Sequence, residues 1–121
     1  MVEFLSESME DYLETILILI REHSVARSKD IAARLKVRRS SVTGMLQTLR
    51  DRGYLNYERY GYVTLTPEGA VIAGRVLRRH EALRDFMVNV LSIDPEEADV
   101  AACRMEHGVS KHIVDRLIEF G

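Results

Sequence analysis

A mainly α-helical fold with one small β-hairpin is predicted by three observations. Apolar residues recur at helical spacing over most of the 121 residues. A stretch near the middle, residues 54–65, switches to aromatic and β-branched residues around Gly61. Helix-start signals separate the apolar runs, and two of them, Thr66-Pro67 and Asp94-Pro95, place a capping side chain directly before a proline.

The elements follow in order. Tyr12, Leu13, Ile16, Leu17, Leu19 and Ile20 predict a first helix over about residues 8–22, with Ser6 or Ser8 at its N-cap. Ser28 is expected to cap a short helix that turns Ile31, Ala32 and Leu35 inward. A tight connection, residues 36–39, leads to Ser40 and Ser41, both competent N-caps. Beyond them Val42, Met45, Leu46 and Leu49 stand at i, i+3, i+4 and i+7, one face of a helix. Gly53 suits a left-handed C-cap. Strands are predicted at 54–59 and 62–65, joined through Tyr60-Gly61. Thr66 caps a long helix carrying Val71, Ile72, Val76, Leu77, Leu83, Phe86, Met87 and Val90. Asp94 opens another that Gly108 ends, and Ser110 caps a last one through Leu117.

Two helices joined by a short turn, then a β-hairpin, is the order of a winged helix-turn-helix. The expected organisation is a DNA-binding domain over 1–66 and a helical domain over 67–121, with the helix from Pro67 joining them rigidly.

Composition sets the class. Hydrophobic residues at 46% and charged residues at 30% exclude a disordered chain. The longest aliphatic run, residues 16–20, falls far short of the roughly 20 residues needed to span a bilayer, so no membrane association is expected. One cysteine, Cys103, cannot form an internal disulfide, and no basic-then-apolar leader is present; a cytoplasmic protein is expected.

Charge is informative once divided. The net charge is −2, but residues 27–52 hold eight basic and two acidic side chains, a net of +6 between two acidic segments. That block coincides with the helix-turn-helix and marks a polyanion-binding element. The helix over residues 40–52 is the expected recognition helix. With its apolar stripe turned inward, Ser40, Ser41, Thr43, Gln47 and Arg50 remain for double-stranded DNA. Arg38 and Arg39 sit where the helix start also attracts phosphate. Arg27 and Lys29 belong to the same basic block, and Arg59 lies at the wing tip.

A second constellation is acidic. Cys103, Glu106 and His107, at i, i+3 and i+4, share one helical face and offer thiolate, carboxylate and imidazole. Such donors suit a divalent transition metal; surface polar residues beside a buried free cysteine would give the same pattern. Asp11 and Glu14 form another pair, which the dipole of the first helix alone would also favour. His80 lies on the long helix, and His23 and His112 are expected at the surface. No HExxH helix, Gly-rich phosphate loop or Ser-His-Asp arrangement is recognisable, so an enzyme is not expected.

Four stretches carry a resemblance: Ser8-Met9-Glu10-Asp11-Tyr12-Leu13-Glu14, Arg39-Ser40-Ser41-Val42-Thr43-Gly44-Met45, Arg79-His80-Glu81, and the run from Ala102 through Cys103, Glu106 and His107 to Ser110. Together they resemble the metal-dependent repressors of the diphtheria-toxin-repressor family, in the short form without an SH3-like domain. The resemblance implies a winged-helix half, a helical dimerisation half and a metal site whose ligands are Asp11, Glu14, His80, Cys103, Glu106 and His107. The acids at Asp11 and Glu14 resemble the manganese-responsive branch, and Cys103 the iron-responsive branch. Arg84 and Asp99 stand where the iron branch's ancillary site needs a glutamate and a histidine.

The implied function is a homodimeric repressor that binds a palindromic operator when loaded with Fe(II) or Mn(II), controlling metal homeostasis. Zn(II), Co(II) and Ni(II) would substitute in vitro. The apolar faces of 83–91 and 98–118 are the expected dimer seam. The alternative reading is a winged-helix regulator responding to a small organic ligand.

Overall fold

The computed structural model describes residues 5–58 and 61–120, except the side chain of Lys111. The chain divides into two compact units, Met1–Gly74 and Arg75–Gly121.

The first unit opens with α1, Glu7–His23. Ser6 caps it by accepting the Met9 N–H at 3.1 Å, and Ser24, in the left-handed region at φ 73°, ends it. Of the two serines that could cap this helix, the one further from the apolar run does so. A two-residue strand β1, Ala26–Arg27, leads into α2, Ser28–Leu35. Ser28 is the first helical residue rather than its cap, because the extended Arg27 takes the N-cap position. Lys36, at φ 57°, turns the chain towards α3, Arg39–Asp51. Here too the expected serine caps are displaced: Arg38 holds the N-cap position, and Ser40 and Ser41 lie inside the first turn. Gly53 follows α3 at φ 85°, the left-handed conformation expected of it.

Strands β2, Leu55–Tyr57, and β3, Tyr62–Leu65, pair antiparallel with Tyr57 opposite Val63. β1 adds to the other edge of β3, giving the order β1-β3-β2. The predicted hairpin is therefore one side of a three-stranded sheet. Leu13, Ile16, Ile31, Val42, Leu46, Leu49 and Val63, all fully buried, join α1, α2, α3 and the sheet into one core. Each such side chain contributes about 1.5–3 kcal/mol by leaving water.

Helix α4, Pro67–Asn89, begins in the first unit and continues into the second. Thr66 fixes its start: its Oγ1 accepts the Gly69 N–H at 3.1 Å and donates to the Gly53 carbonyl at 2.7 Å. The second unit adds α5, Pro95–Met105, and α6, Lys111–Phe120. Asp94 caps α5 through the Glu96 and Glu97 N–H groups. Ser110 caps α6 through Ile113. Its core is small: Leu83, Met87, Ala98 and Ala102, with Val88, Ile93, Ala101, Val109 and Leu117 at the margin. Val90, Leu91, Val100, Ile113, Ile118 and Phe120 stay exposed on it. Among the described residues no helix is long and apolar enough to cross a membrane.

Candidate metal centre and nucleic-acid interface

Several basic residues of the first unit gather at one cleft. Arg27, Lys29, Arg38, Arg39, Ser40, Ser41, Thr43, Gln47 and Arg50 are all exposed. Arg27, Lys29, Arg39, Thr43 and Tyr62 line a cleft of about 480 Å³ where the starts of α2 and α3 meet the sheet. Neither helix has a side-chain cap, so their first N–H groups remain available to an anion. Two of the arginines are braced on aromatic rings. Arg27 stands opposite Tyr62 across β1 and β3, its guanidinium carbon 5.2 Å from the ring centroid. Arg50 lies 5.9 Å from the centroid of Tyr57. Such stacking limits the arginines' freedom while leaving their N–H forks for phosphate. Tyr57 and Tyr62 are thus part of this surface, which their β-propensity alone does not reveal. Arg59 lies outside the described residues.

In the second unit, Glu106 is the residue around which the others gather. It forms the C-cap of α5 and is fully buried. Its Oε2 lies 3.1 Å from Nδ1 of His80 on α4, and its Oε1 lies 3.4 Å from Nε2 of the adjacent His107. Neither oxygen makes a hydrogen bond among the described residues. On its far side His80 donates from Nε2 to Asp99 Oδ1 at 2.6 Å. A carboxylate only accepts, so this bond needs a ring proton on Nε2; in the neutral ring the Nδ1 lone pair then faces Glu106, and in the imidazolium Nδ1 also carries a proton directed at it. A neutral Nδ1 and a carboxylate oxygen 3.1 Å apart repel one another unless a proton or another positive charge stands between them.

A buried carboxylate between two imidazoles is therefore a fitting donor set for a divalent transition metal. Cys103, three residues before Glu106 on α5, is exposed rather than a core residue, which leaves its sulfur accessible as a further donor. In the first unit Asp11 and Glu14 lie one turn apart on α1, Asp11 half-buried and Glu14 only 9% exposed. A buried acid at Glu14 is not what the helix dipole alone requires. His23 and His112 are exposed, as expected. Asp99, which the resemblance marks only as a departure from an ancillary site, is the partner of His80 that sequence reasoning did not assign, although its i, i+4, i+7 spacing with Cys103 and Glu106 carries the signal.

Comparison with known proteins accords with both surfaces. Residues 4–63 match the description "Iron dependent repressor, N-terminal DNA binding domain", and residues 66–121 match "Iron dependent repressor, metal binding and dimerisation domain". The chain belongs to the iron-dependent repressor family. Members of this family are transcriptional repressors, not enzymes. An uncharacterised HTH-type transcriptional regulator of Methanocaldococcus jannaschii is 38% identical to it over 114 residues, covering 93% of this chain and 91% of that protein. The HTH-type transcriptional regulator MntR of Shouchella clausii is 44% identical over 110 residues, covering 91% and 76%. Among solved structures, T. acidophilum IdeR superposes with a TM-score of 0.84 at 31% identity, covering 98% of this chain and 55% of that one. A manganese-dependent transcriptional repressor solved with manganese gives a TM-score of 0.82 at 31% identity, covering 90% and 50%. This iron-dependent repressor chain thus spans about half the length of those solved proteins.

Proposed function

We propose that this repressor binds a palindromic DNA operator as a homodimer when a divalent ion, Fe(II) or Mn(II), is held by His80, Cys103, Glu106 and His107 together with Asp11 and Glu14, and that it thereby controls metal homeostasis in the cytoplasm. The observation that carries the reading is the buried Glu106 carboxylate facing an imidazole nitrogen from each of its oxygens. Division of labour follows the two family matches, with DNA binding in 1–66 and metal binding and dimerisation in 67–121.

In the second unit His80, Glu106 and His107 supply two neutral nitrogens and one charge, and Cys103 a thiolate. A bound divalent ion supplies the positive charge that lets these groups and the α1 carboxylates approach without mutual repulsion. Oxygen and imidazole donors suit manganese and ferrous iron, while the thiolate favours softer ions.

Dimerisation is supported by the exposed apolar side chains of the second unit and by its small core, since a unit of about fifty residues rarely stabilises itself. A two-fold dimer reading successive major grooves must hold its recognition helices about 34 Å apart. On this reading Arg27, Lys29, Arg38 and Arg39 take phosphates, with Arg59 at the wing. Ser40, Ser41, Thr43, Gln47 and Arg50 present themselves along α3 to the groove.

The test is selection of a duplex from random sequence with metal present, followed by titration at fixed salt with Mn(II), Fe(II) or chelator. Affinity for the selected site should rise roughly 5–150-fold with metal. Equal affinity with chelator and with excess metal overturns the proposal.

A further inference from the structure

Asp99 and Glu106 stand seven residues apart along α5, two turns on the same side, and the imidazole of His80 bridges them. One ring nitrogen meets each carboxylate: Nε2 at 2.6 Å from Asp99, Nδ1 at 3.1 Å from Glu106. The two carboxylates differ in setting. Glu106 is fully buried, whereas the Asp99 side chain is 57% exposed, so Asp99 has no packing role that its charge alone could not explain.

We infer that Asp99 is a positioning residue for the metal centre: by accepting the Nε2–H of His80 it fixes the ring's tautomer and orientation, and makes Nδ1 the donating atom. The inference rests on the metal-binding reading above. Without Asp99 a neutral ring is free to carry its proton on either nitrogen, and the Nδ1–H form would donate to Glu106 and block the donor position. Carboxylates that hold a ligating histidine in this way raise its basicity, and losing one costs about 10–100-fold in metal affinity. An acceptor-only group is required; an amide at this position can present either its carbonyl or its NH2 and so tolerates both tautomers.

The test compares wild type with Asp99→Asn, Asp99→Ala and Asp99→Glu, using Co(II) and Mn(II) as probes. Metal affinity is read by titration and the His80 tautomer by 15N chemical shifts of the metal-free proteins. Asp99→Asn and Asp99→Ala should lower affinity about 10–100-fold and mix the His80 tautomers. Asp99→Glu, which restores an acceptor-only carboxylate, should recover part of both. Wild-type affinity in the Asn and Ala variants, or an unchanged His80 signature in them, overturns the inference. Failure of wild type itself to take up either metal overturns the metal-binding reading on which it rests.

Discussion

Arg34 on α2 grips Glu22 on α1 through both guanidinium nitrogens, Nη1 to Oε1 at 2.8 Å and Nη2 to Oε2 at 3.4 Å. One of the eight positive charges of the basic block is thereby matched by an acid outside it, and the first two helices are tied at their surface. The hydrogen bond from Arg34 holds the Glu22 carboxyl below the usual carboxylate range. Folding therefore favours its ionised form. The contribution is fully present above the ordinary carboxylate pKa and disappears as pH falls through the lowered, folded-state value. Thermal midpoints of wild type and Glu22→Gln should differ near neutrality and converge in acid. The pair is solvent-exposed, so the gap should be small and shrink with salt. A gap that is constant with pH contradicts the assignment.

Among the described residues Arg39 makes no ion pair, and it stands at the uncapped start of α3 beside the cleft. If it neutralises one phosphate, Arg39→Ala should weaken operator and non-specific DNA alike. It should also reduce the slope of log K against log salt by about 0.9. Arg34→Ala, which frees Glu22 rather than a phosphate, should change that slope less. Binding measured over a salt series with metal held constant distinguishes them. Equal slopes for wild type and Arg39→Ala would remove Arg39 from the phosphate contacts.

Periodicity made the helices legible because each buries one continuous stripe: Val42, Leu46 and Leu49 on α3 are all fully buried, as their spacing requires. The first strand was not legible, since Ala26–Arg27 is too short to show alternation and exists only through pairing with Val63 and Tyr62. Helix starts shifted for a related reason. Ser28, Ser40 and Ser41 are competent caps, but the preceding arginines are already extended by the turn and take the boundary. For the metal centre, Cys103, Glu106 and His107 announce themselves by their spacing, although α5 ends at Met105 and Glu106 is its C-cap. Their relation to His80 is tertiary and appears only when α4 and α5 pack. Likewise no local pattern says that Arg27 and Arg50 lean on Tyr62 and Tyr57.

Glu106→Gln separates the charge of that residue from its shape. In the metal-free protein the new amide can donate to a neutral His80 Nδ1, which lies 3.1 Å from the carboxylate oxygen it replaces, so stability with chelator should hold or rise. Metal at about 100 times its Kd should stabilise wild type by roughly 2.7 kcal/mol. That gain should vanish in Glu106→Gln. Thermal unfolding of both proteins with chelator and with excess Mn(II) checks both halves. A variant that keeps the metal-induced rise would show that Glu106 is not a ligand.

Two helical glycines should respond oppositely to alanine. Gly69, in the first turn of α4, lies against the Tyr54 carbonyl, and an added Cβ would overlap that oxygen. The carbonyl cannot easily move away, because it accepts the Thr66 N–H at 3.1 Å while Thr66 is itself fixed to the Gly53 carbonyl. Gly69→Ala should cost about 1–3 kcal/mol, the range for forcing extra volume into a packed site. Gly44, on the exposed side of α3, has nothing within 4 Å of an added Cβ. There alanine removes backbone freedom from the unfolded chain without a clash, and should stabilise by about 0.5–1 kcal/mol. Urea midpoints of the two variants in metal-free buffer should move in opposite directions from wild type. A neutral Gly69→Ala would mean that the start of α4 can shift away from the sheet, and the Thr66 cap would then not be the constraint that sets where this helix begins.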